Sequence, residues 1–184
     1  QLTLPDSLGI VTWFGRGPHE SYADRKTSGR VARYSGAVAD QFHPYSRPQE
    51  TGNKTDFRWM AVSDREGVGL LAVGEENLSA SVWSFAMEDL DVVPAAKGAE
   101  SASGLVPITS RHGAELEVQD FVTWNLDAAQ MGVGGDTSWG RLVHPQYTIP
   151  PEDRHFRYYL IPFDGRETDP GDLARRVPPK IHQE

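Results

Sequence analysis

There is no cysteine anywhere in the 184 residues, and that single absence excludes disulfides, thiolate metal sites and a cysteine nucleophile together. It does not fix the compartment, since cysteine-free chains occur in oxidising and reducing surroundings alike. Positive charge is also scarce: 18 Lys and Arg stand against 26 Asp and Glu, a formal net charge of −8. Nucleic-acid binding draws most of its affinity from basic side chains that neutralise phosphates, so no nucleic-acid partner is expected. Long apolar runs are missing. No stretch reaches the roughly 18 residues that span a bilayer, and no basic-then-apolar signal opens the chain, so no membrane partner is expected. The six histidines show neither an HExxH pattern nor paired metal spacing, and no GxSxG elbow, P-loop or GxGxxG fingerprint appears. Neither a metal nor a cofactor is expected within this chain.

What is present is turn chemistry and short apolar segments. The 18 glycines and 13 prolines favour many turns over long helices, and a chain of this length buries roughly 70% of the surface that its unfolded form exposes, enough for one domain with a core. Gly9–Gly15 and Gly29–Gly36 are β-branched or aromatic and bounded by glycine, as strands are. In "DFRWMAVSD", Phe57, Trp59 and Ala61 alternate with Arg58, Met60 and Val62; "DREG" then supplies a turn and "VGLLAVG" a returning strand, so Asp56–Gly74 reads as a β-hairpin. Leu78–Phe85, Glu115–Asp127 and His155–Phe163 continue the pattern. In Glu115–Asp127 the alternation of Leu116 and Val118 with Glu115, Glu117 and Gln119 predicts a sheet with one face wet.

Helix signals are few. Ala86–Asp91 can make a turn or two, and "DPGDLARR" opens with Asp169 as a cap and Pro170 at the first helical position. Ala95–Pro107, small, polar and without period, reads as an exposed loop. The domain is expected to span residues 1–177, with a disordered tail over 178–184. Antiparallel strands joined by turns need a second apolar face to cover the first, so the fold class is all-β, an antiparallel β-sandwich. Trp13, Trp59, Trp83 and Trp124 fall within strand patterns and read as core or sheet-face residues.

Adjacent acids such as Glu75-Glu76 and Asp89/Asp91 read as solvated surface groups. Two denser stretches stand out. In "WFGRGPHESYADRKTSGRV" (Trp13–Val31) a strand ends, glycines and Pro18 force the backbone round, and His19, Glu20, Tyr22, Asp24 and Arg25 follow. The cluster reads either as an ion-pair and hydrogen-bond network that anchors a long loop, or as a place where Arg16, His19 or Glu20 meets a ligand or a neighbouring domain. In "QMGVGGDTSWGRLVHPQY" (Gln130–Tyr147) four glycines lie between Gly132 and Gly140, and "GVGGD" reads as a tight backbone crossing or bulge. Trp139 beyond it either caps a core or waits for a ligand, because an indole serves a sugar face as it serves a core. The residues alone leave both open.

"WFGRGPHESYADRK", "PYSRPQETGNKTDFRWMAVSD", "VTWNLDAAQMGVGGDTSWGRLVHPQY" and "FRYYLIPF" resemble, in this order and over nearly the whole chain, the carboxy-terminal domain of the multidomain β-galactosidases of glycoside hydrolase family 2. The resemblance is to the fifth, small-chain domain, an extended antiparallel β-sandwich (a supersandwich) similar to the galactose mutarotase superfamily. It begins partway into that domain, which implies that the amino-terminal strands of the sandwich are missing. In the family, the tryptophan of the "GGDxSW" motif forms an aromatic wall of the sugar pocket on the aglycone side; by motif this is Trp139. Asp136 and Ser138 share the motif and are expected to fix the loop by side chain to backbone hydrogen bonds. Thr137 stands where relatives commonly carry a second acidic residue, so Asp136 is the motif's one carboxylate here.

The family's general acid and nucleophile are glutamates of a central barrel domain, as are most ligands of its magnesium and sodium ions. The resemblance therefore implies no catalytic carboxylate and no metal here, with Mg and Na held in the parent's catalytic domain. It also implies a galactoside substrate, the barrel domain of the same chain as partner, a homo-oligomeric parent and an isolated chain that is inert. A carbohydrate-binding module that takes galactosides unaided and a purely structural module are the competing classes.

Overall fold

The computed structural model describes residues 1–45, 49–90, 93–94, 105–106, 116–134 and 142–177, with 93–94 and 105–106 described by backbone alone. Among the described residues nine strands are present: β1 (Leu2–Pro5), β2 (Ile10–Gly17), β3 (Arg30–Ala37), β4 (Lys54–Ser63), β5 (Val68–Trp83), β6 (Val93–Pro94), β7 (Leu105–Val106), β8 (Phe121–Asp127) and β9 (Tyr158–Asp164). One short helix, α1 (Pro170–Ala174), follows them. Every pairing is antiparallel. Seven strands form one sheet in the order β1-β8-β5-β4-β2-β3, with β9 also on β5, and β6 pairs with β7 separately.

The length of β5 gives it three neighbours. Its first part, Val68–Gly74, lies between β4 and β9, whereas Ser79–Trp83 pairs with β8. Between the two parts the register with β4 slips twice. Arg58 alone separates the β4 partners of Val73 and Leu78, while β5 spends Gly74, Glu75, Glu76 and Asn77 on the same interval. Thr55 and Asp56 then share Ser79, and Asp56 takes a left-handed φ of 54°. Extra residues on one strand bend and twist a sheet.

That bend builds the core. Trp124 pairs with Val82 on one part of the sheet and Met60 with Ala72 on the other. At about 3.3 Å per residue, the ten residues of β5 from Ala72 to Val82 would set them roughly 33 Å apart along a flat strand. Instead the Trp124 indole N–H donates to the Met60 sulfur at 3.3 Å. The sheet is folded over, and its two parts face each other as the layers of an all-β sandwich, with Trp13, Phe57, Met60, Val62, Leu78, Val82, Val122 and Trp124 between them. A second cluster, Trp59, Ala61, Leu71, Val73 and Phe163, occupies the outer face under Leu173, Ala174 and Val177. The four strand tryptophans are all buried, as the strand patterns predict. Each such indole removes 150–250 Å² from water, roughly 4–6 kcal/mol before entropy is subtracted.

Several sequence expectations hold locally. The Asp56–Gly74 hairpin is β4 and the start of β5, closed by Gly67 N–H to Asp64 O at 3.2 Å. Asp169 caps α1 by accepting from Gly171 N–H at 2.8 Å, with Pro170 in the first turn. Ala86–Asp91 contains one 3-10 turn, Met87–Leu90.

Others are corrected. Phe57 does not share a face with Trp59 and Ala61: the bulge at Arg58 turns it into the cluster that holds Met60 and Val62. The segment Glu115–Asp127 yields a strand only from Phe121, and that strand has no wet face. Thr123 and Asn125 are buried opposite Val122, Trp124 and Leu126, with their polar groups bonded to Phe85 O and Ser81 Oγ. The alternation at Leu116–Gln119 lies outside it, and Val118 is exposed. Leu78–Phe85 is no separate strand but the continuation of β5. Leu105 and Val106, placed in the loop Ala95–Pro107, pair with β6; residues 95–104 and 107 lie outside the described residues, as does the tail 178–184.

Candidate functional site

The first dense stretch is an anchoring network. Leaving β2, Arg16 donates to Asp56 at 2.6 Å and to the Lys26 and Gly29 carbonyls, and Lys26 reaches the same Asp56 carboxylate at 3.1 Å. Burial opposes the Asp56 charge, but the bonds from Arg16 and Lys26 outweigh it and hold the carboxyl below its usual range. The bulge that turns Asp56 into a left-handed conformation thus aims its carboxylate at the loop it holds. His19 meets only Ser28, at 3.3 Å, among the bonds described.

Glu20 is the buried centre of the network. It accepts from Gly52 N–H at 2.9 Å, Arg25 at 3.1 Å, Tyr22 at 3.3 Å, Thr51 at 3.5 Å and the Tyr45 hydroxyl. Burial would raise its pKa; the Tyr45 and Gly52 donors with the Arg25 charge lower it by more. Glu50 beside it is pushed up to about 7, first by burial and then by the charges of Asp127 and Glu20. Lys54, buried with its ammonium 5.1 Å from the Trp13 ring centroid, is pulled down to about 8 by burial. The bonds that Arg16 and Glu20 make among the described residues are those of the anchoring reading.

The network ends in a rigid turn. Tyr22 is buried, and it exchanges both backbone hydrogen bonds with Arg25, N–H to O at 3.2 and 2.9 Å. Asp24 sits at the tip and reaches the second dense stretch: its carboxylate accepts from Val133 N–H at 3.2 Å and Gly134 N–H at 2.7 Å. Gly132 N–H donates to Tyr147 O at 2.9 Å, so the excursion between them closes at its root. A side chain at Gly132 would meet Asp24 Cγ at 2.7 Å and Tyr147 Cβ at 2.9 Å. The tight crossing predicted for "GVGGD" is therefore present at Gly132 and Gly134, and the partner is Asp24.

Around this junction lies a cleft of about 420 Å³ lined by Tyr22, Asp24, Arg25, Tyr45, Glu50 and Val133 with Gly134. A smaller groove of about 330 Å³ opens elsewhere, between Phe14, Arg58, Trp59 and Arg175. Trp139, Asp136 and Ser138 fall in the chain between Gly134 and Leu142, and all three lie outside the described residues. Among the described residues no three His, Asp or Glu side chains gather as metal ligands, and no helix is long and apolar enough to cross a membrane. Sequence reasoning missed Asp24 as a clamp and Glu50 and Tyr45 as cleft residues. The one signal available for Asp24 was an acid in a turn together with a glycine crossing that lacked a partner.

The profile of the family described as Beta galactosidase small chain matches residues 1–160. A beta-galactosidase of Priestia megaterium is 37% identical over 147 residues, 80% of this chain and 13% of that protein. One from Vibrio cholerae is 36% identical over 159 residues, 86% of the chain and 13% of its own length. One from Lactobacillus delbrueckii subsp. bulgaricus is 36% identical over 165 residues, 88% and 14%. The chain thus spans about an eighth of the relatives it matches. With an antiparallel all-β fold and the family's match over most of its length, this chain belongs to the beta-galactosidase small-chain family.

Proposed function

We propose that this chain is the part of a β-galactosidase that completes the sugar pocket without doing its chemistry. The parent hydrolyses terminal β-galactosides such as lactose with retention, through a galactosyl enzyme formed by two glutamates of its barrel domain. Magnesium and sodium ions belong to that barrel, and the parent is a homo-oligomer. This chain presents Trp139 from the glycine-rich excursion as an aromatic wall for the leaving or accepting sugar, with Asp136 and Ser138 steadying the motif. Orientation of that sugar affects the barrier even though no atom of this chain reacts.

The observation that carries the reading is the root of the excursion. A segment that bears an exposed indole for a neighbour's cleft needs a fixed base, and Gly132 to Tyr147 and Asp24 to Gly134 supply one. The family match and the motif "GGDTSW" (residues 134–139) supply the rest. The test is Trp139→Ala in the complete galactosidase. We expect kcat/KM for lactose to fall about tenfold or more, the effect of losing one aromatic stacking partner of about 1.5 kcal/mol, with a smaller loss for an aryl galactoside whose leaving group is already activated. Unchanged constants for lactose would end the assignment.

A further inference from the structure

We infer that the groove around Arg58, on the outer face of the sheet, is a docking surface for another segment of the parent polypeptide, and that this segment brings an Asp or Glu carboxylate to the Arg58 guanidinium among apolar side chains. The inference rests on the proposal that this chain is one part of a larger galactosidase. It does not involve the sugar pocket.

The outer face is only partly covered by its own chain. Leu173, Ala174 and Val177 lie over the cluster of Trp59, Ala61, Leu71, Val73 and Phe163, whereas beside that cover Phe14 is 37% exposed and Val31 40%. Phe14 pairs with Trp59, and Val31 with Arg16 two positions further along β2. Residues two apart share a face, so the exposed apolar groups continue the covered ones. The groove of about 330 Å³ is the step between them, with Phe14, Arg58, Trp59 and Val73 on the sheet side and Ala174 and Val177 on the carboxy-terminal side. Contiguous apolar surface on the face of a sheet marks contact with a further layer. The galactosidases that match this chain carry about seven-eighths of their length outside the matched part, and that remainder is the source of the layer.

The charges at the groove say what the segment carries. Arg58 is half-buried; it donates to Asp56 O at 2.5 Å, lies 5.9 Å from the Phe14 ring centroid, and has no carboxylate partner among the described residues. Nearby arginines are matched: Arg33 with Asp169 at 2.7 Å, Arg157 with Glu75 at 3.0 Å and Arg175 with Asp172. Glu75, which also lines the groove, is already engaged, since it accepts from both Arg157 and Tyr159. Arg58 is thus the unmatched charge of the groove among the described residues. A guanidinium held over an aromatic ring keeps its planar fork in place, and that fork takes a carboxylate by two parallel charge-assisted bonds.

Two measurements on the complete enzyme test this. Hydroxyl-radical oxidation of Phe14 in the native enzyme should run about tenfold or more slower than in the peptide freed by digestion, because side chains at the centre of a contact are fully desolvated. The 37% exposure of Phe14 in this chain alone would slow it only about threefold. In Arg58→Lys the cation is kept, and a carbodiimide, which joins a touching amine and carboxylate with loss of water, should link position 58 to an Asp or Glu beyond these 184 residues, identified by mass spectrometry of the digest. Oxidation slowed only about threefold would overturn the inference. So would a link confined to this chain's own acids, a link between two copies in isotope-mixed enzyme, or no link. If the link forms while Trp139→Ala leaves the lactose constants unchanged, the wall fails and this surface stands. If Trp139→Ala acts as expected while Phe14 is open, this inference alone falls.

Discussion

The Cα of Gly132 lies so close to Asp24 that a methyl group on it would meet the carboxylate carbon at 2.7 Å. The glycine is there for space, since its φ lies outside the left-handed region. Gly132→Ala must therefore displace Asp24 or the Tyr147 backbone segment, whose Cβ stands at 2.9 Å. We expect a destabilisation of about 1–3 kcal/mol, as for other overpacked sites, read as a lower urea midpoint.

Asp56 combines a left-handed backbone with two cationic partners. Asp56→Ala loses both ion pairs and places an alanine where L-residues without a short polar group are strained by about 1–2 kcal/mol. Asp56→Asn keeps the backbone preference but not the charge. The expected order of stability is wild type, then Asn, then Ala, with Ala down by roughly 2–3 kcal/mol, measured by urea unfolding. An alanine variant as stable as the asparagine one would show that the backbone conformation is unimportant there.

Trp124→Ala removes the fully buried indole that joins the two layers at Met60. Truncation of this kind costs about 3–5 kcal/mol. Trp124→Phe keeps most of the apolar area and loses the N–H to sulfur contact, so it should cost clearly less. Near-equal effects in denaturant melts would mean that the polar contact, and not burial, ties the layers.

Glu50 makes stability fall with rising pH. Its folded value, near 7, lies above its ordinary 4.5, so between those values the folded chain holds a proton that the unfolded chain has released. Its contribution is full below about 4.5 and is lost as pH rises through 7. Lys54 has the opposite sign: its folded value near 8 lies below 10.5, so its share is lost as pH falls through 8. Glu50→Gln should flatten the decline between pH 5 and pH 8 and raise the melting temperature at pH 8 more than at pH 5. Parallel curves for variant and wild type would remove Glu50 from the pH response.

What the sequence reveals directly is what its neighbours in the chain decide. The Asp169–Pro170 cap, the hairpin around "DREG" and the burial of the strand tryptophans rest on local chemistry, and all are present. Phe57 turns away from Trp59 because four residues of β5 oppose Arg58, and nothing within "DFRWMAVSD" records that. β1 is four residues long and is a strand only through its pairing with β8, more than a hundred positions away. The candidate site divides similarly: the glycine crossing was legible because glycine is a signal in itself, whereas Asp24 is one acid among 26 acidic residues until Val133 and Gly134 are beside it.

The central claim is that an indole from this chain walls the aglycone side of a galactoside pocket, and the most direct measurement is galactosyl transfer to free glucose by the complete enzyme carrying Trp139→Ala. The account predicts that the glucose concentration for half-maximal transfer rises about tenfold while galactosylation by an aryl galactoside is much less affected. An unchanged half-saturating concentration of glucose would contradict it.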